Sequence, residues 1–255
     1  MKLDIFALNK QAKRLRLLFS KFFADMKLRL LGLALLVLAN IAFAAPKQVT
    51  LTYQAIRNDK PFAIVTETYH QSGNQYKIES VTEGIGVYAL FGKRILKSEG
   101  LVTAEGLQPV HFESHQADNP KKFVAADFDW AKLQLTMKSK GNEASERLPK
   151  GAQDLVSYPY QWMQIPPVSE ELFLSVTTGK KLRTYHYHLI SNDDVMETPA
   201  GQFKVVELTN SGKVEPADEK HFWLAVDHHY LPVRILMQDD KGAVIEQILT
   251  SIVVQ

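Results

Sequence analysis

From residue 48 onward, hydrophobic and polar positions alternate in short runs rich in β-branched and aromatic residues, broken by turn-forming residues. That pattern predicts antiparallel strands. Thr50–Ala55 and Ala63–Tyr69 read as the first two, joined by the turn Asn58-Asp59-Lys60-Pro61. Tyr76–Val81, Gly84–Phe91, Arg94–Val102, Val110–Ser114 and Phe123–Trp130 follow, the last two separated by Asp118-Asn119-Pro120. In Lys132–Lys138 the residues Leu133, Leu135 and Met137 alternate with polar neighbours, as in a half-buried strand. Leu172–Thr177, Arg183–Ile190, Phe203–Thr209, His221–Val226, Leu231–Met237 and Val244–Val254 complete the series. Asp193-Asp194 and Asp239-Asp240 read as turn formers. Gln153–Gln164 breaks the pattern: Leu155, Tyr158 and Trp162 fall near helical spacing and Pro159 suits a first turn, so one or two helical turns are expected.

So many strands on short turns predict a mainly β fold. The expectation is a curved antiparallel sheet forming an open or spiral β-barrel with one short helix and a concave apolar interior. The aromatic helical segment reads either as ordinary core or as a lid over the barrel mouth.

The amino terminus belongs to a different class. Leu30–Ala45 (LLGLALLVLANIAFAA) carries no charge, follows Lys27 and Arg29, and ends on Ala42-Phe43-Ala44 before Pro46. A basic start, a short apolar run and an A-x-A site make a secretory signal, with cleavage expected after Ala44. The run is short for a membrane-spanning helix, although a retained anchor is the alternative. Met26-Lys27-Leu28-Arg29 already makes a complete signal start, so translation beginning at Met26 is the simpler reading; an amphipathic helix over residues 1–25 is the other. The chain divides into residues 1–44, an extension and signal, and residues 45–255, a single β domain. The expected address is the periplasm, with membrane contact only through the signal.

Charge follows this division. Eight of the 30 Lys/Arg and two of the 28 Asp/Glu lie in residues 1–44, leaving 22 basic against 26 acidic side chains. The domain therefore carries about −4 although the whole chain is +2, and nucleic acid is not an expected partner. The absence of cysteine removes disulfides, thiolate metal sites and cysteine nucleophiles.

Candidate chemistry is sparse. On a strand, His186 and His188 of Tyr185-His186-Tyr187-His188 share one face, a spacing open to a metal, and His221, His228 and His229 are possible completing ligands. Asp127 and Asp129 also share a face; they read as a paired-carboxylate site or as a solvated strand surface. No nucleophile elbow, zinc-protease, phosphate-loop or dinucleotide motif occurs, so no catalytic residue and no cofactor is assigned. Arg234 lies between Val233 and Ile235; inside a barrel it would need a carboxylate, and Asp154 or Asp127 is the expected partner. Trp223 reads as a core anchor, and Asp154 as a cap for the short helix. Tyr158, Tyr160, Trp162, Trp223 and Arg234 form the candidate ligand-binding set.

A series of segments carries a resemblance. It runs through Ser98-Glu99-Gly100-Leu101, Gly106-Leu107-Gln108-Pro109 with Phe112, Asp127-Phe128, and Gln153-Asp154-Leu155 with Ser157 and Tyr160-Gln161. Thr198-Pro199-Ala200-Gly201-Gln202-Phe203, Phe222-Trp223-Leu224-Ala225 with Asp227, and Leu231-Pro232-Val233-Arg234 continue it. In order and spacing, over most of residues 48–254, the chain resembles the bacterial envelope proteins catalogued as domain of unknown function 3108. The resemblance implies an exported β-rich domain with no assigned activity.

Three readings follow. The preferred one is a non-catalytic envelope module that binds an apolar, lipid-like ligand or an extended peptide in a concave β surface. The others are a metal-dependent or carboxylate-based envelope hydrolase, and a structural partner of another envelope protein.

Overall fold

The computed structural model describes residues 45–117, 119–210, 219–238 and 242–255. The expected signal segment, residues 1–44, and the Asp239-Asp240 turn lie outside the described residues. No helix among the described residues is long and apolar enough to cross a membrane.

The strands are β1 (Gln48–Arg57), β2 (Lys60–Ser72), β3 (Gln75–Gly84), β4 (Arg94–Thr103), β5 (Gly106–Gln116), β6 (Val124–Asp129), β7 (Gln134–Ser139) and β8 (Asn142–Arg147). They continue with β9 (Gln153–Asp154), helix α1 (Ser157–Gln164), β10 (Glu171–Thr177), β11 (Leu182–Thr198), β12 (Gly201–Thr209), β13 (Lys220–Ala225), β14 (Leu231–Gln238) and β15 (Val244–Val254). All fifteen strands form one sheet in the order β8 to β1, then β15 to β9. Neighbours are antiparallel except for the short parallel pair β9–β10. The expected curved antiparallel sheet is therefore observed.

Period-two alternation sets the two faces. In β1 the inward residues Val49, Leu51, Tyr53 and Ala55 are buried, while Thr50, Thr52 and Gln54 point outward. The same face continues through Val65 of β2, Ile78 of β3, Leu96 of β4 and Phe112 of β5.

Helix α1 fills much of the interior. Tyr160 and Met163 join the larger apolar cluster, while Tyr158 and Trp162, four residues apart, pack with Tyr185, Tyr187, Phe222 and Leu224. Each of these large side chains is buried, which stabilises the fold by roughly 1.5–3 kcal/mol per residue. Of the two readings for this segment, core packing is the observed one. The N-cap position is Val156, which makes no side-chain cap bond; Asp154, two residues earlier, instead holds the entry to the helix, its carboxylate accepting from the backbone N–H groups of Val156 and Ser157, both at 2.9 Å.

The backbone ladder does not close into a ring. Instead, two glutamine side chains bridge β5 to the other end of the sheet. Leu107 N–H donates to Gln161 Oε1 at 2.7 Å, and Gln153 Nε2 donates to the Leu107 carbonyl at 2.7 Å. Here β5 has no β6 partner, because β5–β6 pairing covers only His111–Ser114 on the β5 side. The amides thus satisfy strand groups that would otherwise be buried without partners. Gly106 makes the approach possible: its φ is +96°, and a Cβ there would lie 2.3 Å from Gln161 Nε2.

Three expectations change. Gly84–Phe91 is not a strand; β3 ends at Gly84 and Gly86–Phe91 forms a 3₁₀ turn. The turn folds back on Gly84, where a Cβ would lie 2.3 Å from the Tyr88 carbonyl oxygen. Asp193-Asp194 does not form a turn, because β11 runs on to Thr198 through an irregularity between Ile190 and Asp194. Finally, β8 (NEASER) is an additional strand with every residue exposed, so it has no hydrophobic alternation to read.

Candidate functional site

The β1–β2, β3–β4, β5–β6 and β10–β11 turns gather at one end of the curved sheet, the mouth. Inward residues near these turns line two adjoining hollows that share Arg94 and Gln116. One has a volume of about 470 Å³ and is walled by Phe62, Val65, Tyr88, Phe91, Met237 and Ile245. The other, about 570 Å³, is bordered by Arg94, Lys121, Lys122, Lys180, Lys181 and Lys220. Both volumes lie within the range of small-molecule pockets. Among the described residues, neither lining includes an acidic side chain.

Local structure explains why these cations face inward. Arg94 lies opposite Thr82 of β3 and Gln116 of β5, in register with the buried Leu96 and Ser98 of its own strand. Lys220 shares its face of β13 with the buried Phe222 and Leu224. Its ammonium lies 5.1 Å from the Tyr158 ring centre and 5.3 Å from that of Tyr185. Burial, with repulsion from Lys181, pushes the Lys220 pKa down to about 8, and burial also lowers that of Arg94. Lys122 is held by a hydrogen bond to Gln116 Oε1 at 2.9 Å.

Deeper inside lies a polar chain around two inward carboxyl groups. Ser98 Oγ donates to Asp154 Oδ2 at 2.6 Å and meets the Tyr76 hydroxyl at 3.0 Å. Glu67 accepts from Ser80 at 3.1 Å and from the Tyr160 hydroxyl at 3.3 Å. Burial pushes Asp154 up to about 6 and Glu67 up to about 7, against the lowering effect of those hydrogen bonds on Asp154 and of the Ser80 and Tyr160 bonds on Glu67. These groups are bound up with helix α1 and not with the hollows.

The candidate ligand residues do not converge on the mouth. Tyr160 and Trp162 are buried in the core, and Tyr158 touches the mouth only by backing Lys220. Trp223 is half-buried on the face opposite Phe222 and Leu224 and packs against the larger apolar cluster from its margin. It stacks on His221 with ring centres 5.8 Å apart and lies 4.5 Å from the Arg234 guanidinium carbon. Arg234 pairs with Glu246 at 2.5 Å, replacing the expected Asp154 or Asp127. An outward arginine meets its partner on the next strand, β15, and needs no interior carboxylate.

Of the candidate histidines, His186 and His188 come together beside Glu171. His186 Nε2 lies 3.2 Å from Glu171 Oε2, and His188 Nδ1 lies 3.8 Å from Glu171 Oε1. The three donors fall within 4.8 Å of one another. His221 instead pairs with Glu207 at 2.7 Å, and His228 packs edge-on to Phe203, so neither joins this group; His229 is likewise outside it. Asp127 and Asp129 occupy the solvated strand face. Burial would raise Asp127, but Lys138 and His111 outweigh it, and the Lys132 hydrogen bond lowers Asp129. With both pKa values lowered, neither is held protonated as a paired-carboxylate acid requires.

Arg94, Lys220 and Glu67 were absent from the candidate set. Their signal is a charged residue in the inward register of a strand, the same cue that singled out Arg234.

Comparisons with known proteins agree with this architecture. The chain is similar to a beta-barrel-like protein of domain of unknown function DUF1849 from Brucella abortus, with a TM-score of 0.53 and 9% identity. The match covers 83% of this chain and 99% of that one, and shows the fold alone. No curated protein matches. The model of the family described as "Protein of unknown function (DUF3108)" matches residues 48–250. That match spans most of the chain and the described strands from β1 to β15, and the chain belongs to the DUF3108 family.

Proposed function

We propose that this protein is a non-catalytic, exported envelope module that holds an apolar ligand at the mouth of its curved sheet. The observation that carries this reading is the hollow walled by Phe62, Val65, Tyr88, Phe91, Met237 and Ile245. Helix α1 packs into the larger apolar cluster through Tyr160 and Met163, behind the mouth. An extended peptide is less well served: the β8 edge is short, fully exposed and charged at Glu143, Glu146 and Arg147, features that discourage strand addition. Export rests on the basic, apolar and A-x-A segments of residues 27–44.

Mass spectrometry of the protein purified from an envelope fraction tests both parts. The expected result is a chain beginning at Ala45 and an acyl-containing molecule in its organic extract. A chain retaining residues 1–44 would remove cleavage. An empty extract, together with no uptake of a fluorescent apolar probe, would remove the ligand.

A second reading rests on Glu171, His186 and His188, whose donor set suits a borderline metal such as zinc. Zinc titration by calorimetry tests it. Saturable binding lost in His188→Ala supports a site, and identical weak heats from both proteins reject it.

A further inference from the structure

The domain carries about −4 overall, yet the cations at its mouth face a hollow with no acidic lining residue among those described. Lys220, half-buried beside Phe222 and Leu224, is set apart from ordinary solvated lysines, while Arg94 shares the inward register but is exposed at the mouth. A cation on an inward strand face forgoes part of its hydration. Among the described residues, no acidic side chain lines the hollow that both groups border. An arriving anion would provide that compensation, and field lines focused by the surrounding turns would favour its entry. The apolar hollow begins at the same Arg94 and Gln116 where the cationic one ends. Head and tail positions are therefore contiguous.

We infer that the mouth selects an anionic amphiphile, with a phosphate or carboxylate head between Arg94 and Lys220 and an acyl chain along Phe62, Tyr88 and Ile245. This rests on the apolar-ligand reading and adds the class of ligand. Free phosphate shares the head chemistry but would leave the apolar wall unused. Lys180 and Lys181, on the β10–β11 turn, supply further charge around the head.

Calorimetric titrations of the full chain with oleate, oleyl alcohol, oleoyl lysophosphatidate and inorganic phosphate separate the terms. The two anionic amphiphiles should bind on the order of tenfold or more tighter than the alcohol, the scale of one charge-assisted contact. Arg94→Met with Lys220→Met should erase that preference, so that oleate and oleyl alcohol bind the variant alike. If this variant does not fold by circular dichroism, Lys180→Gln with Lys181→Gln should reduce the preference without touching the inward face. Equal binding of oleate and oleyl alcohol would overturn the inference and leave the apolar-ligand reading standing. Phosphate binding as tightly as lysophosphatidate would overturn it in favour of a free-anion site. Failure of every amphiphile to bind would overturn both readings together.

Discussion

The Ser98 hydroxyl donates to the Asp154 carboxylate at 2.6 Å, joining β4 to the residue that holds the entry to helix α1. The same carboxylate holds two backbone N–H groups, so one buried side chain ties the sheet wall to the element that fills it. That arrangement and its counterpart at Glu67 make stability depend on pH.

Asp154 rises from 3.8 to about 6 on folding, and Glu67 from 4.5 to about 7. A raised carboxyl pKa means that the folded state binds more protons between the two values. Stability is then greatest below about pH 4 with respect to these groups, and is lost as pH rises to about 7. The Asp154 contribution is on the order of 2–3 kcal/mol. Denaturant titrations from pH 4 to 8 should show this decline. Asp154→Asn keeps an acceptor for those N–H groups and removes the charge, so it should flatten the slope between pH 4 and 6. An unchanged slope would exclude Asp154 as its source.

Gln161→Ala leaves the Leu107 N–H without a partner and also removes a bond from Gln161 Nε2 to the Glu105 carbonyl at 3.1 Å. The expected loss is about 1–3 kcal/mol. Gly106→Ala should cost a similar amount or more, because a Cβ at φ +96° is strained and displaces the Gln161 amide. Urea midpoints measure both. If the two losses add fully in the double variant, the glycine and glutamine do not act through one contact.

Trp223 and Arg234 lie on the outer side of β13 and β14. Trp223→Phe and Arg234→Gln should therefore leave amphiphile affinity unchanged within error, while Tyr88→Ala, in the wall of the hollow, should lower it severalfold. A loss of affinity in Trp223→Phe comparable to that in Tyr88→Ala would move the site to the opposite face.

The strands are legible wherever one face is apolar and the other polar, as in β1 and β7, because the pleat imposes a period of two. The turn at Gly86–Phe91 has the composition of a strand, yet Val87, Leu90 and Phe91 are 72%, 88% and 64% exposed. Composition carries no mark of exposure. Asp154 is legible as a residue of the helix entry, two positions before the N-cap Val156. Arg234 was not placed correctly because alternation states only that it opposes Val233 and Ile235. Which face is inside depends on curvature, which a single strand does not encode. Arg94 and Lys220 required the faces of β4 and β13 to be known first.

The closure between β5 and the β9 end is made by side chains, and this gives the domain an uneven resistance to opening. Separating β1 from β2 means breaking a long run of main-chain bonds, whereas parting the wall beside Leu107 requires chiefly the release of two amide groups. Breathing of the wall is thereby directed to one strip, next to the helix that occupies its centre. Amide hydrogens around Leu107 should exchange with solvent well before those of β1 and β2.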